Sequence, residues 1–176
     1  QQTVDLVLSS AAELLEETGF ENLSTNSICR RAGLTPPALY RYFPNKYAVL
    51  KELGMRLMQR QNQVLEQFDW TISDFDALRD QIAAMLTKTI HVTRETPAGV
   101  WILRALHATP ALSDIRIGSH REVTDFLIAR LVQEKPGTDL DLATHRLRLG
   151  VELGYAMIEM VFDEPGLDEA QLIETS

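Results

Sequence analysis

The chain has 176 residues, 45% of them apolar and 24% charged, with a formal net charge of −8. These proportions suit one ordinary domain, or a small module fused to a larger one, and exclude a disordered tail, a collagen-like fibre and a low-complexity linker. The longest apolar stretches, such as residues 6–12 and 96–103, are under half the roughly 20 residues that cross a bilayer, and no basic segment followed by an apolar block opens the chain. Neither a membrane span nor an export signal is therefore expected. The single cysteine, Cys29, excludes an internal disulfide and a cysteine-based zinc site, and it suits a reducing cytoplasm.

In chain order, Val4, Leu8, Ala11, Ala12 and Leu15 form an apolar stripe closed by Gly19, which predicts a first helix over 2–18. Ser24 can cap a second, with Ile28 and Ala32 inward, Cys29 beside them and Gly33 as its stop. Thr35 supplies a new cap, and Pro36 takes the first helical position, where a missing N–H costs nothing. This third helix must stop by Tyr42 or Phe43, because Pro44 pushes the residue before it toward extended geometry. Asn45 caps a fourth, long helix expected to run to about Phe68. Further helices are predicted over 74–94, 98–107, 119–134 and 140–162, with a short turn near 111–115, punctuated by Pro97, Pro110, Pro136-Gly137 and Pro165-Gly166. No alternating strand pattern competes, so the fold class is all-α: three short helices followed by a helical bundle.

The net charge alone argues against nucleic acid, but it is unevenly spread. Residues 1–60 hold seven Lys/Arg against six Asp/Glu, and the remainder holds ten against nineteen. A polyanion would approach residues 30–60 and be repelled elsewhere; the plainer reading is ordinary surface charge.

The chemistry concentrates in residues 24–46. Two short helices joined by Ala32-Gly33-Leu34-Thr35 have the form of a helix-turn-helix, in which glycine permits the turn and Leu34 points inward. The second helix of such a unit fits the roughly 12 Å wide major groove of DNA, and the first holds it across the backbone. Leu39 and Phe43, four apart, face the core and leave Thr35, Pro37, Ala38 and Arg41 for the groove. Pro37 and Ala38 suit thymine methyls, and Tyr40 and Tyr42 offer hydroxyls to phosphates. Thr25 and Lys46 stand at helix N-termini, whose N–H dipoles favour an anion. The alternative is a helical hairpin whose two tyrosines merely pack.

Gly19-Phe20, Leu23-Ser24-Thr25, Ile28, Arg31-Ala32-Gly33-Leu34-Thr35, Ala38-Leu39-Tyr40-Arg41-Tyr42-Phe43-Pro44-Asn45-Lys46 and Leu50 together resemble the DNA-binding region of the TetR family of transcriptional regulators. The resemblance covers roughly residues 4–50. It implies a helix-turn-helix domain over 1–46 and a helical ligand-binding and dimerisation domain over 47–176, with helix 45–68 connecting the two. It further implies a homodimeric repressor on a palindromic double-stranded DNA operator, released by a small-molecule effector. In such proteins the residues matching Thr25, Thr35, Tyr40, Tyr42 and Lys46 contact phosphates, and those matching Asn26, Pro36, Pro37, Ala38 and Arg41 lie nearest the bases. Many members also carry a basic arm before the first helix, which this chain does not show at Gln1-Gln2.

A recognition helix of two turns makes too few contacts for specificity, so two copies must be paired, with half-sites about 34–36 Å apart. Val123, Phe126, Leu127 and Arg130 on one late helix, and Gly150, Leu153, Gly154, Met157, Ile158 and Val161 on the last long one, are the candidates for pairing. Gly150 and Gly154 put small residues four apart, which lets another helix approach; the alternative is packing within the chain. For an effector pocket the candidates are Met85, His91, Trp101, Arg104, His107, Phe126 and Tyr155. The four histidines form no i, i+4 pair and no Glu-x-x-His occurs, so no metal and no cofactor are expected.

Two rival readings remain at this level. A helical enzyme lacks support, because no Gly-x-Gly-x-x-Gly, P-loop, Gly-x-Ser-x-Gly or His-Glu-x-x-His occurs. The other is a ligand- or partner-binding protein whose helix-turn-helix has lost its DNA affinity, with Pro36-Pro37 as the feature to watch.

Overall fold

The computed structural model describes residues 2–68, 70 and 75–174, and every regular element among them is helical. The chain divides into two compact units, one of Gln1–Gln59 with Thr93–Arg116 and one of Arg60–Val92 with Ile117–Ser176. Helices α4, α5 and α7 each carry the chain from one unit to the other.

In the first unit, α1 (Gln2–Thr18) buries Val7, Leu8, Ala11, Ala12, Leu14 and Leu15. Helix α2 (Thr25–Ala32) is held at its start by a reciprocal cap, in which the Ser27 N–H donates to Ser24 Oγ at 3.1 Å and the Ser24 N–H donates to Ser27 Oγ at 3.0 Å. It ends at Gly33, whose φ of 64° is left-handed, with the Leu34 N–H donating to the Cys29 carbonyl at 2.9 Å. Arg31 ties α2 to α1 by donating to Glu13 at 3.1 Å and to Glu17 at 2.9 Å, and this contact holds the Glu17 carboxyl below the usual carboxylate range. Helix α3 (Pro36–Tyr40) follows. Thr35 occupies its cap position as expected, but its side chain makes no capping hydrogen bond.

Helix α4 (Lys46–Asn62) starts where Asn45 Oδ1 accepts the Ala48 N–H at 3.0 Å. It stops well short of Phe68. Asn62 sends its side chain to Glu122 at 3.0 Å and to Ser119 at 2.9 Å, and the chain tightens into a 3-10 turn over Leu65–Gln67 that is sealed by the Trp70 indole N–H on the Leu65 carbonyl at 2.9 Å. Helix α5 (Phe75–Glu95) matches the expected segment, although Asp74, its expected first residue, lies outside the described residues. Helix α6 (Gly99–Ala108) enters through Ala98, a non-glycine residue at φ 56°, whose N–H donates to Glu16 Oε1 of α1 at 2.7 Å. A single carboxylate thus pins this strained corner onto α1.

Helix α7 (Ser113–Glu134) begins six residues before the expected start at Ser119. The anticipated turn near 111–115 is instead a 3-10 turn over Pro110–Leu112 that feeds straight into α7, with Ser113 Oγ donating to the Pro110 carbonyl at 2.8 Å. Helix α8 (Leu140–Asp163) is capped by Asp139, which accepts the Leu142 N–H at 3.1 Å. A short α9 (Glu169–Glu174) was not expected, although Asp168 accepting the Gln171 N–H at 3.2 Å is an ordinary cap.

Two glycines should respond oppositely to alanine. A Cβ on Gly99 would lie 2.0 Å from the Thr93 carbonyl oxygen, whereas one on Gly118, inside α7, would meet nothing within 4 Å. Gly99→Ala is expected to lower stability by about 1–3 kcal/mol through overpacking. Gly118→Ala is expected to raise it by about 0.5–1 kcal/mol through helix propensity. Urea midpoints at unchanged m-values check both.

Candidate nucleic-acid interface

The exposed face of α2 and α3 rests on a buried hinge. Leu39 is fully buried and Phe43 nearly so, which turns the opposite side of α3 outward. Pro36 and Pro37 sit in the first turn, where backbone N–H groups lack intrahelical partners in any helix, and the Ala38 and Leu39 N–H groups still reach the Thr35 carbonyl at 3.0 and 3.2 Å. The two prolines therefore cost this helix no hydrogen bond. Asn26, Thr35, Pro36, Pro37, Tyr40, Arg41 and Tyr42 are exposed, and Thr25, Ala38 and Lys46 are half-buried. All ten residues named for DNA contact thus retain solvent access.

The N-termini of α2 and α4 converge beside this face. Ser24, Thr25, Tyr40, Pro44, Asn45 and Lys46 line an open hollow of about 280 Å³. The Thr25 and Tyr40 hydroxyls are 3.2 Å apart, and the Lys46 ammonium lies 4.8 Å from the Phe20 ring centroid, which steadies its stem. Two helix N-termini, two hydroxyls and an ammonium make a surface suited to a phosphate oxyanion. Among the described residues, Arg31 and Arg56 are engaged by acidic side chains, whereas Arg30, Arg41, Lys46 and Lys51 form no ion pair. These four cations are therefore left for an external anion.

The second unit contains a cavity of about 300 Å³ between α5, α7 and α8, with walls that are almost wholly apolar. Of the expected pocket residues, Met85 and Tyr155 line it. Trp101 and Arg104 lie in the first unit, stacked at 5.4 Å beside a shallow groove with Gly19 and Phe20. His91 and His107 are exposed, and Phe126 packs edge-on against Trp70 with ring centroids 6.5 Å apart. The side chains of these five do not form the cavity wall. Trp70, Leu86 and Leu131 do, and the clearest sequence signal for them was the Gly150/Gly154 pair, which also lines this cavity.

The expected pairing residues divide in the same way. Val123, Leu127 and Arg130 border the cavity, Ile158 and Val161 are buried, and Met157 is half-buried. Leu153 is 58% exposed and aligns with Leu142, Leu149 and Met160, at steps of seven, four and seven residues along α8. At 100° per residue these four fall within about 40° of one another. This seam is legible in the sequence as a heptad-like run, and Leu153 is its member among the expected pairing residues.

Behind the cavity, His120 is 1% exposed and stacks on Tyr155 at 3.9 Å, with its Nδ1 3.1 Å from Glu152 Oε2. Glu152 also binds Arg148. Burial pushes the Tyr155 hydroxyl up to about 12, against a lowering hydrogen bond with Ser119, so it stays protonated through the neutral range. No helix among the described residues is long and apolar enough to cross a membrane.

Together, the buried turn and the outward short helix define a helix-turn-helix protein, a class that reads duplex DNA. Residues 7–53 match the family described as bacterial regulatory proteins, tetR family. The chain is 23% identical to the HTH-type transcriptional regulator UidR of Escherichia coli (strain K12) over 177 residues, which is 99% of this chain and 89% of that protein. It is 37% identical to the class D tetracycline repressor protein of Escherichia coli over 54 residues, 31% of this chain and 25% of that one. The structure of Salmonella enterica GusR superposes with a TM-score of 0.68 at 20% identity, covering 99% of this chain and 92% of that one, and shares the fold. The family match thus covers the N-terminal helix-turn-helix region, and the likeness to solved structures extends the shared fold over the rest of the chain.

Lys46→Ala is expected to weaken duplex binding for all sequences alike and to reduce the slope of log K against log salt by about 1. Fluorescence anisotropy across a salt series measures this. An unchanged slope would remove Lys46 from the phosphate contacts.

Proposed function

We propose that this protein is a transcriptional regulator of the TetR family, a homodimeric repressor that binds a palindromic operator through two copies of α3 and leaves it when a small molecule occupies the second unit. The observation that carries the reading is the outward face of α3: Thr35, Pro37 and Arg41 are exposed and Ala38 is half-buried, a face suited to base edges, while Thr25, Tyr40, Tyr42 and Lys46 beside it suit flanking phosphates. Repression is the role printed in the name of the class D relative.

Pairing is supported by the α8 seam. Leu142, Leu149, Leu153 and Met160 are 40–61% exposed on one stripe, with Val132 of α7 also exposed. An apolar stripe facing water is costly to a monomer and fits a second copy of itself in an isologous contact. The division of labour proposed is residues 1–46 as reader and 47–176 as sensor and dimeriser. An effector can shift the operator equilibrium only by its differential affinity for the state that fails to bind DNA.

Selecting bound fragments from random duplexes tests the reader and yields the operator. Equal affinity for the selected and a scrambled duplex at moderate salt would refute it. Leu149→Glu with Leu153→Glu is expected to give a folded monomer by sedimentation at micromolar concentration. It should also weaken operator binding by about a hundredfold or more, because the second half-site loses its effective concentration. A wild-type chain that stays monomeric while binding the selected operator fully would contradict the pairing.

A further inference from the structure

The cavity in the second unit is long, apolar and charged at one end only. Its wall along α7 runs from Val123 to Glu134, roughly 16 Å at 1.5 Å per residue. Arg130 and Glu134 lie toward the end of α7, and Arg146 lies early in α8, just across the connecting turn. These three are the charged residues of the lining, and all are exposed. Among the described residues neither arginine has an ion-pair partner, and Arg130 instead lies over the Phe126 ring at 5.5 Å. The mouth therefore carries one net positive charge. At the opposite end stand Gln61 and Tyr155, both buried.

Two glycines of α8 make the room. Both line the slot, an added Cβ at Gly150 would meet nothing within 4 Å, and one at Gly154 would touch Leu86 at 3.3 Å. They lie roughly 80–120° around the helix from the exposed seam at 100° per residue, so the slot and the seam occupy different faces of α8. Each glycine weakens the helix relative to alanine, and an open slot is what their absent side chains leave.

We propose that this slot takes an elongated, mainly hydrocarbon molecule ending in one carboxylate, with its body between α5, α7 and α8 and its carboxylate at Arg130 and Arg146. A polar ligand would lose its water here without replacement hydrogen bonds, whereas a hydrocarbon body gains from the same burial. The planar guanidinium fork matches a carboxylate. Glu134 at the same mouth disfavours a dianion such as a phosphate monoester. The inference deepens the ligand-responsive part of the proposed function and rests on it for its regulatory meaning.

The test uses the Trp101→Phe protein, in which Trp70, a wall residue 8% exposed, is the remaining indole of the chain's two tryptophans. Dodecanoate, dodecanol and hexanoate are titrated below their aggregation thresholds, with Trp70 emission and the thermal midpoint as readouts. Dodecanoate is expected to bind saturably, at least about tenfold tighter than either of the others, and to raise the midpoint. Arg130→Ala with Arg146→Ala should bring dodecanoate down to the level of dodecanol, and Gly150→Phe should abolish both. Equal binding of dodecanol and dodecanoate overturns the charged end, and no binding of either by folded protein overturns the ligand class. Operator binding is followed in parallel. Dodecanoate that binds without releasing the operator counts against the ligand-responsive regulator and leaves the slot assignment standing.

Discussion

A helix of five residues does not hold its shape in water, because nucleating one turn fixes several dihedrals for a single hydrogen bond. The reading surface of this protein therefore depends on the burial of Leu39 against the helices that precede it. Fully burying one such side chain contributes about 1.5–3 kcal/mol, which offsets only part of the roughly 1–2 kcal/mol per residue lost in ordering the segment. Phe43, four residues on, extends the same anchor past the end of α3. With these two side chains inside, the outward direction of Pro37, Ala38 and Arg41 follows from helix geometry alone.

The rest of the first unit keeps that anchor in place. Gly33 turns the chain without strain, the Ser24/Ser27 cap starts α2, and Arg31 clamps α2 to the acidic side of α1. The clamp also answers a question raised by composition. Acids on α1 that would repel a polyanion are partly neutralised by Arg31, while Arg30, Arg41 and Lys46 remain for an external partner. The −8 of the whole chain is thus a poor guide to what the DNA-facing surface presents.

Legibility followed sequence distance. Ser24, Gly33, Pro36 and Asn45 act within four residues of themselves, so these caps and turns are legible directly and agree with the structure, whereas Thr35 holds the cap position without the side-chain bond. The end of α4 is set by Asn62 reaching Ser119 and Glu122, some 60 residues away, and no local pattern announces it. The cavity is harder still, because its wall draws on α5, α7, α8 and the segment around Trp70. Gly150 and Gly154 suggest the close approach of another helix, whereas in the structure they line the cavity, because small residues four apart fit either. The difference between the seam and the slot on α8 is a rotation of roughly 100°, and only packing against other helices, such as Leu86 of α5 at Gly154, decides it.

Operator recognition as proposed requires two copies of α3 to enter successive grooves on one side of a duplex. Hydroxyl-radical footprinting of the wild-type protein on its selected operator measures this most directly. Two protected patches on the same face, related by a dyad and centred about one helical turn or a whole multiple apart, are the expected result. A single patch, or two patches on opposite faces of the duplex, would contradict it.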